Sequence, residues 1–173
     1  VDNLLRKSVK AGVGACVSAS SASPSRPRPR SGNLASWGHM IECCTDPNSN
    51  LGNIAKTFDG LTVHRICKDD NFLSDACATR LGKLVAEHPG ISIHASLPCT
   101  PWSSYSYINA CKSGETFAKK LLEDRATSRR MVRRFITLAE HILARGGEVS
   151  FEWPSHCAGW QIPELISFIA KHG

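Results

Sequence analysis

Four short apolar runs alternate with segments of helical period, and this alternation limits the possible folds more than any single motif does. The runs are 37–44, 61–66, 91–97 and 148–153. In the third, Ile91, Ile93, Ala95 and Leu97 alternate with small or polar residues, the period of a strand. Turn formers close each run: 45–50 after the first, Lys68 to Asn71 after the second, Pro98 after the third and Pro154 after the fourth. Between them, Ser49 or Asn50 caps a short helix at 51–57. Ser74 or Asp75 caps another through about Glu87, with Ala76, Leu81, Leu84 and Val85 on its apolar side, and Pro89-Gly90 stops it. Residues 115–145 carry two apolar rows: Met131, Phe135, Leu138 and Ile142, with Val132, Ile136, Ala139 and Leu143 beside them. Thr127-Ser128 is a place where this segment divides into two helices, and Gly146-Gly147 ends it. Pro163 opens a last helix, with Leu165, Ile166 and Ile169 inward. The order β-α-β-α-β-α-β-α predicts an α/β fold: a Rossmann-like, doubly wound, mostly parallel sheet in three α/β/α layers.

Charge and composition divide the chain unevenly. Of 173 residues, 42% are hydrophobic, enough for one core. The net charge of +6 is concentrated at the start: residues 1–34 hold six basic residues and one acid, the rest 15 basic and 14 acidic. Residues 1–36, rich in Ser, Pro and Arg, are expected to be a disordered basic leader ahead of a partial domain at 37–173. No apolar run reaches the roughly 18 residues of a membrane span, so no membrane association is expected. The eight cysteines form no CxxC pair and read as reduced thiols of an intracellular protein, the nucleus included. His64 with Cys67 and His156 with Cys157 are close pairs, but without CxxC spacing no metal site is expected.

The stretch from Ile91 to Ser104 is the chemical centre of the sequence. Pro98 fixes its own φ and biases Leu97 toward extended geometry, so Cys99 is held in a rigid turn at the carboxyl end of a strand. In open α/β sheets that edge is where ligands bind. Glu42 and Asp46 end the first strand and Glu152 ends the fourth. If the strands are parallel, Cys99 and Glu152 face a common crevice.

Pro98-Cys99 after an apolar strand, followed by Glu152 at the end of the next, resembles class I S-adenosylmethionine-dependent methyltransferases, specifically the C5-cytosine DNA methyltransferase branch. The resemblance covers about residues 37–172 and is closest at 93–104 and 149–154. It implies Cys99 as nucleophile and Glu152 as the group that hydrogen-bonds the base at N3. It implies S-adenosylmethionine as cofactor, with Glu42, Cys43, Asp46, Asp69, Asp70 and Pro98 around it. The family's Gly-rich first loop is reduced to Gly52, its Gln after Pro-Cys is Thr100, and its Asn after Glu is Trp153. Its later strands and target-recognition segment have no counterpart before Gly173, so a domain truncated at its carboxyl end is expected, a piece of a longer polyprotein.

The chemistry accounts for the pair. Cytosine is electron-poor at C6, and C5 becomes nucleophilic only after a thiolate adds there. A duplex target would have to be flipped out of its stack. Arg129, Arg130, Arg133 and Arg134 recur at helical spacing and are expected to face nucleic acid, DNA in preference to RNA. The competing expectation is a catalytically inactive module of the same fold that binds nucleic acid or a protein partner.

Overall fold

A computed structural model describes residues 38–173; the leader at 1–36 and Trp37 lie outside the described residues. The elements are β1 (Gly38–Thr45), α1 (Asn50–Ile54), β2 (Leu61–Cys67), α2 (Asp75–Glu87), β3 (Ser92–Ala95), α3 (Ser104–Lys112), α4 (Gly114–Ala144), β4 (Val149–Phe151) and α5 (Pro163–His172). The strands form one sheet in the order β2-β1-β3-β4, and every pairing is parallel. The fold is therefore the Rossmann-like α/β class expected. Among the described residues, no helix is long and apolar enough to cross a membrane.

Strand register decides which side chains meet the core. Ile41 is aligned with His64 and with Ile93, and Ala95 with Phe151. Aligned residues share a face, so Ile41, Cys43, Ile66, Ile91, Ile93, Ala95 and Leu97 enter one buried cluster. Cys77, Leu81 and Val85 of α2 and Val132, Phe135, Leu138, Ala139 and Ile142 of α4 close over it. Each fully buried side chain of this size stabilises the fold by roughly 1.5–3 kcal/mol. The opposite face carries Glu42 aligned with Arg65 and with His94. Over its β1–β2 half lie Ser49 and Asn53 of the α1 region, bonded to Arg65. Its β3–β4 half carries polar rungs, His94 with Ser150 and Ser96 with Glu152.

Ser103 Oγ accepts from the Ser106 N–H and caps α3. Three helical expectations differ from the structure. Thr127-Ser128 does not divide α4, which runs unbroken for 31 residues. Ser128 is buried and its hydroxyl accepts from Trp102, so the residue that reads as a breaker is a packing contact. In α5, Leu165 and Phe168 are buried, whereas Ile166 and Ile169 are exposed. In α2 it is Cys77, not the exposed Ala76, that faces the core.

The switch of winding direction falls between β1 and its neighbour β3. From β1 the chain first steps outward to β2, then returns across β1 to β3. Ligand crevices in open sheets lie outside the carboxyl ends of the strands at this point. Here those ends are Glu42 to Thr45 and Leu97 to Cys99.

Candidate functional site

Trp153 sets the geometry of the carboxyl edge between β3 and β4. Its indole N–H donates to the Leu97 carbonyl at 2.6 Å, and the Glu152 N–H donates to the Ala95 carbonyl at 3.0 Å. Trp153 is buried against Phe151, Trp160 and Gly159. A Cβ on Gly159 would collide with the Trp153 ring, so the close approach requires glycine. Cys99 and Glu152 consequently line one cleft of about 300 Å³, with Ser96, Leu97, Trp153 and Pro154. The convergence expected of parallel strands is present.

The turn that carries Cys99 is clamped by α4. Thr100–Trp102 forms a 3-10 turn, with the Trp102 N–H donating to the Cys99 carbonyl at 2.9 Å. Trp102 donates its indole N–H to Ser128 Oγ at 2.8 Å, and Arg125 Nε donates to the Pro101 carbonyl at 2.9 Å. The Arg125 guanidinium also lies 5.3 Å from the centre of a Trp102 ring, a cation–π contact. Cys99 is half-buried against the core. Pro98 is exposed and lines a second cleft, about 380 Å³, between the Cys99 turn and α4.

Glu152 is held loosely. Ser96 Oγ donates to its Oε1 at 2.8 Å, and His94 Nε2 lies 3.9 Å from Oε2. Its side chain is 64% exposed. His94 Nδ1 in turn sits 2.7 Å from Ser150 Oγ. A hydroxyl and an imidazole therefore orient the carboxylate while leaving it open to a ligand.

The β1–β2 half of the edge is filled by its own side chains. Glu42 is buried and accepts from Thr45 Oγ1 at 2.9 Å and Ser49 Oγ at 2.7 Å, with Arg65 Nε at 3.7 Å. A bulge makes this possible: the register shifts between Cys43 and Thr45, and Cys44 takes φ 60°. The Arg65 guanidinium occupies the space where a Cβ on Gly52 would sit, so the glycine of this loop serves an internal contact. The Cys43 thiol lies wholly inside the core, where burial raises its pKa far above the usual range. Burial likewise pushes the Cys44 thiol up to about 11. Neither is a ready nucleophile.

The other acids expected around a cofactor divide in two. Asp70 accepts from the Cys67 N–H at 2.7 Å and from Arg80 at 2.6 Å, closing the turn after β2. Burial opposes ionisation of Asp70, but these partners hold its pKa below the usual value. Asp46 and Asp69 are exposed beyond β1 and β2; Asp46 Oδ1 accepts from the Asn48 N–H. Of the side chains expected around a cofactor, Glu42 and Asp70 are thus engaged by internal partners, and the Cys43 thiol is buried in the core.

The arginines of α4 are largely paired. Arg129 and Arg133 converge on Glu164 of α5, at 3.3 and 2.7 Å. Arg134 donates to the Ser74 carbonyl at 2.7 Å and lies 3.7 Å from Asp75. Arg130 bonds Thr127 Oγ1 and makes no ion pair among the described residues. Arg129, Arg133 and Arg134 fasten α4 to two different helices, and the four side chains do not form one basic face. Ser96, Trp153 and Ser128 build the site without a local sequence signal. Their roles depend on partners 26 to 56 positions away, which local spacing does not show.

No family model, curated protein or solved structure matches the chain. The class defined here is therefore that of the fold, a parallel Rossmann-like α/β domain with a cysteine and a carboxylate on one cleft of its carboxyl edge.

Proposed function

We propose that this edge binds a pyrimidine and attacks it covalently, as part of an S-adenosylmethionine-dependent methyltransferase acting on cytosine in nucleic acid, DNA first. The observation that carries this reading is the shared cleft of Cys99 and Glu152 at adjacent strand ends. The Cys99 thiolate would add to C6, forming the S–C6 bond while the ring's electrons move toward N3. Glu152 would hydrogen-bond N3 and stabilise that charge, with Ser96 and His94 keeping it aimed. Once C5 carries the methyl group, loss of its proton to water and expulsion of the thiolate from C6 would restore the aromatic ring. The cofactor would supply the methyl group for C5. Asp46 after β1 and Asp69 after the neighbouring β2 are exposed carboxylates that would hold it at the carboxyl edge. Methyl incorporation from labelled cofactor into cytosine-containing DNA tests the reading. Wild type should transfer and Cys99→Ser should fall to background, both with unchanged far-ultraviolet dichroism. Equal incorporation by the two would reject Cys99.

One observation favours a second reading, an inactive module of the same fold. The β1 loop is closed on Glu42 and Arg65 and leaves little backbone for a cofactor to approach. Calorimetric titration separates the two: heat and a thermal shift at millimolar S-adenosylmethionine support the enzyme, and their absence supports the module.

A further inference from the structure

A second constellation lies at the opposite end of the sheet, and no step of the methyltransferase reading uses it. His39 is near the start of β1, His64 is on β2, and His88 follows the last turn of α2. His64 is aligned with Ile41, and His39 lies two residues before Ile41. Both side chains therefore leave the sheet on the face that α2 covers. His88 approaches from above that face. One nitrogen of each ring lies within 4.8 Å of those of the other two. His39 Nδ1 and His64 Nε2 are 3.0 Å apart. The His39 and His88 rings stack with centroids 3.5 Å apart and planes inclined by 17°. All three are half-buried. Among the described residues no carboxylate pairs with any of them, and the His88 ring makes no hydrogen bond, although its backbone N–H and carbonyl bond Leu84 and Ile91.

Three imidazoles brought together from separate elements, without an acid to neutralise protonated rings, make a poor ionic cluster and a good set of lone-pair donors. We propose that His39, His64 and His88 bind one divalent transition-metal ion, Zn²⁺ foremost, at the amino edge of the sheet. The donors are all nitrogen, which disfavours Mg²⁺ and Ca²⁺ and suits Zn²⁺, Ni²⁺ or Cu²⁺. Two nitrogens each about 2.05 Å from a tetrahedral zinc lie roughly 3.3 Å apart, so the His39–His64 spacing needs little change. The stacked pair must splay. His88 can move by side-chain rotation, because it sits at the end of α2 beside the exposed Pro89-Gly90 turn. Three protein ligands leave the remaining coordination to water.

The ion would clasp β1, β2 and the α2–β3 turn. His39 lies six residues before Thr45, so the site is about 20 Å along β1 from the carboxyl edge. Its expected effect is on stability, and it stands or falls independently of the proposed methyl transfer. The residues at 39, 64 and 88 are 25 and 24 positions apart, too far for any local ligand motif to reveal them.

The test uses the untagged full chain, stripped with a chelator and titrated with Zn²⁺ by calorimetry, then with Co²⁺ by absorption. One equivalent of Zn²⁺ should bind and raise the melting temperature. The Co²⁺ form should show visible bands of a nitrogen/oxygen site without thiolate-to-metal absorption in the near ultraviolet. His88→Ala should weaken binding beyond the roughly 10- to 100-fold that loss of an outer-shell partner costs, while His156→Ala leaves it unchanged. No saturable binding would overturn the proposal, as would thiolate absorption or undiminished affinity in a folded His88→Ala. If His88→Ala does not fold, the Co²⁺ spectrum of the wild-type chain decides the donor set alone.

Discussion

Glu42, near the end of β1, is 5% exposed and accepts from two hydroxyls beside an arginine; Glu152, just past β4, has a 64% exposed side chain and accepts from one hydroxyl. Both carboxylates belong to the same edge of the same sheet. The first is spent on shape: it draws the bulge at Cys44, the cap of α1 and the Arg65 guanidinium into a closed corner. The second is oriented yet open, on a cleft it shares with a cysteine. A buried carboxylate whose oxygens are all engaged contributes to folding, and one left open to solvent beside a thiol can serve a ligand. The difference makes the β1–β2 corner a closed structural joint and leaves the β3–β4 corner open, where the proposed chemistry would sit.

Substitution at the two glutamates should separate these roles most widely. Glu42→Ala strands the Thr45 and Ser49 hydroxyls and the Arg65 guanidinium, and should cost about 3 kcal/mol in urea unfolding. Glu152→Gln should stay within about 0.5 kcal/mol of wild type while lowering any methyl transfer. Similar losses of stability at both positions would break the comparison.

Trp153→Phe tests what holds the open corner together. It removes the indole donor from the Leu97 carbonyl and loosens the register of the two site-bearing turns. The expected cost is about 2 kcal/mol by chemical denaturation, from a buried carbonyl left without its donor. A cost near zero would mean that the β3–β4 cleft does not depend on this tie.

The smallest effect concerns the arginines. The pKa of Glu164 is held at about 2, first by its own backbone N–H at the start of α5, then by Arg133 and, more weakly, Arg129. Its folded pKa lies below the ordinary 4.5, so the stabilisation is complete above that value and is lost as pH falls from 4.5 through about 2. Allowing for screening at a partly exposed pair, about 1 kcal/mol should disappear over this window. In Glu164→Gln the same acid titration of stability should be flatter. An unchanged profile would return Arg129 and Arg133 to the nucleic-acid-facing role expected from their spacing.

The strands were legible because alternation reports a half-buried face directly, as in Ile91, Ile93 and Ala95. Most of α4 was legible from its paired apolar rows. Ser128 misled because serine caps helices, breaks them or packs inside them, and the choice belongs to a distant partner, here Trp102. The common cleft of Cys99 and Glu152 was legible once parallel strands were assumed, since parallel order sends all carboxyl ends to one edge. The closure of Glu42 was not, because it requires the bulge at Cys44 and the reach of Arg65 from the next strand. The histidine triad was hidden for the same reason: its members meet only through the pairing of β1 with β2 and the return of α2.

The most direct test of the central claim is where a pyrimidine becomes attached. Cytosine carrying fluorine at C5 has no proton to lose there, so a covalent intermediate formed on it would persist. Mass spectrometry of the full chain incubated with S-adenosylmethionine and DNA containing this base should show a one-to-one adduct. Peptide mapping should place it on Cys99 and find none in Cys99→Ser. No adduct, or an adduct on another of the cysteines, would contradict the account.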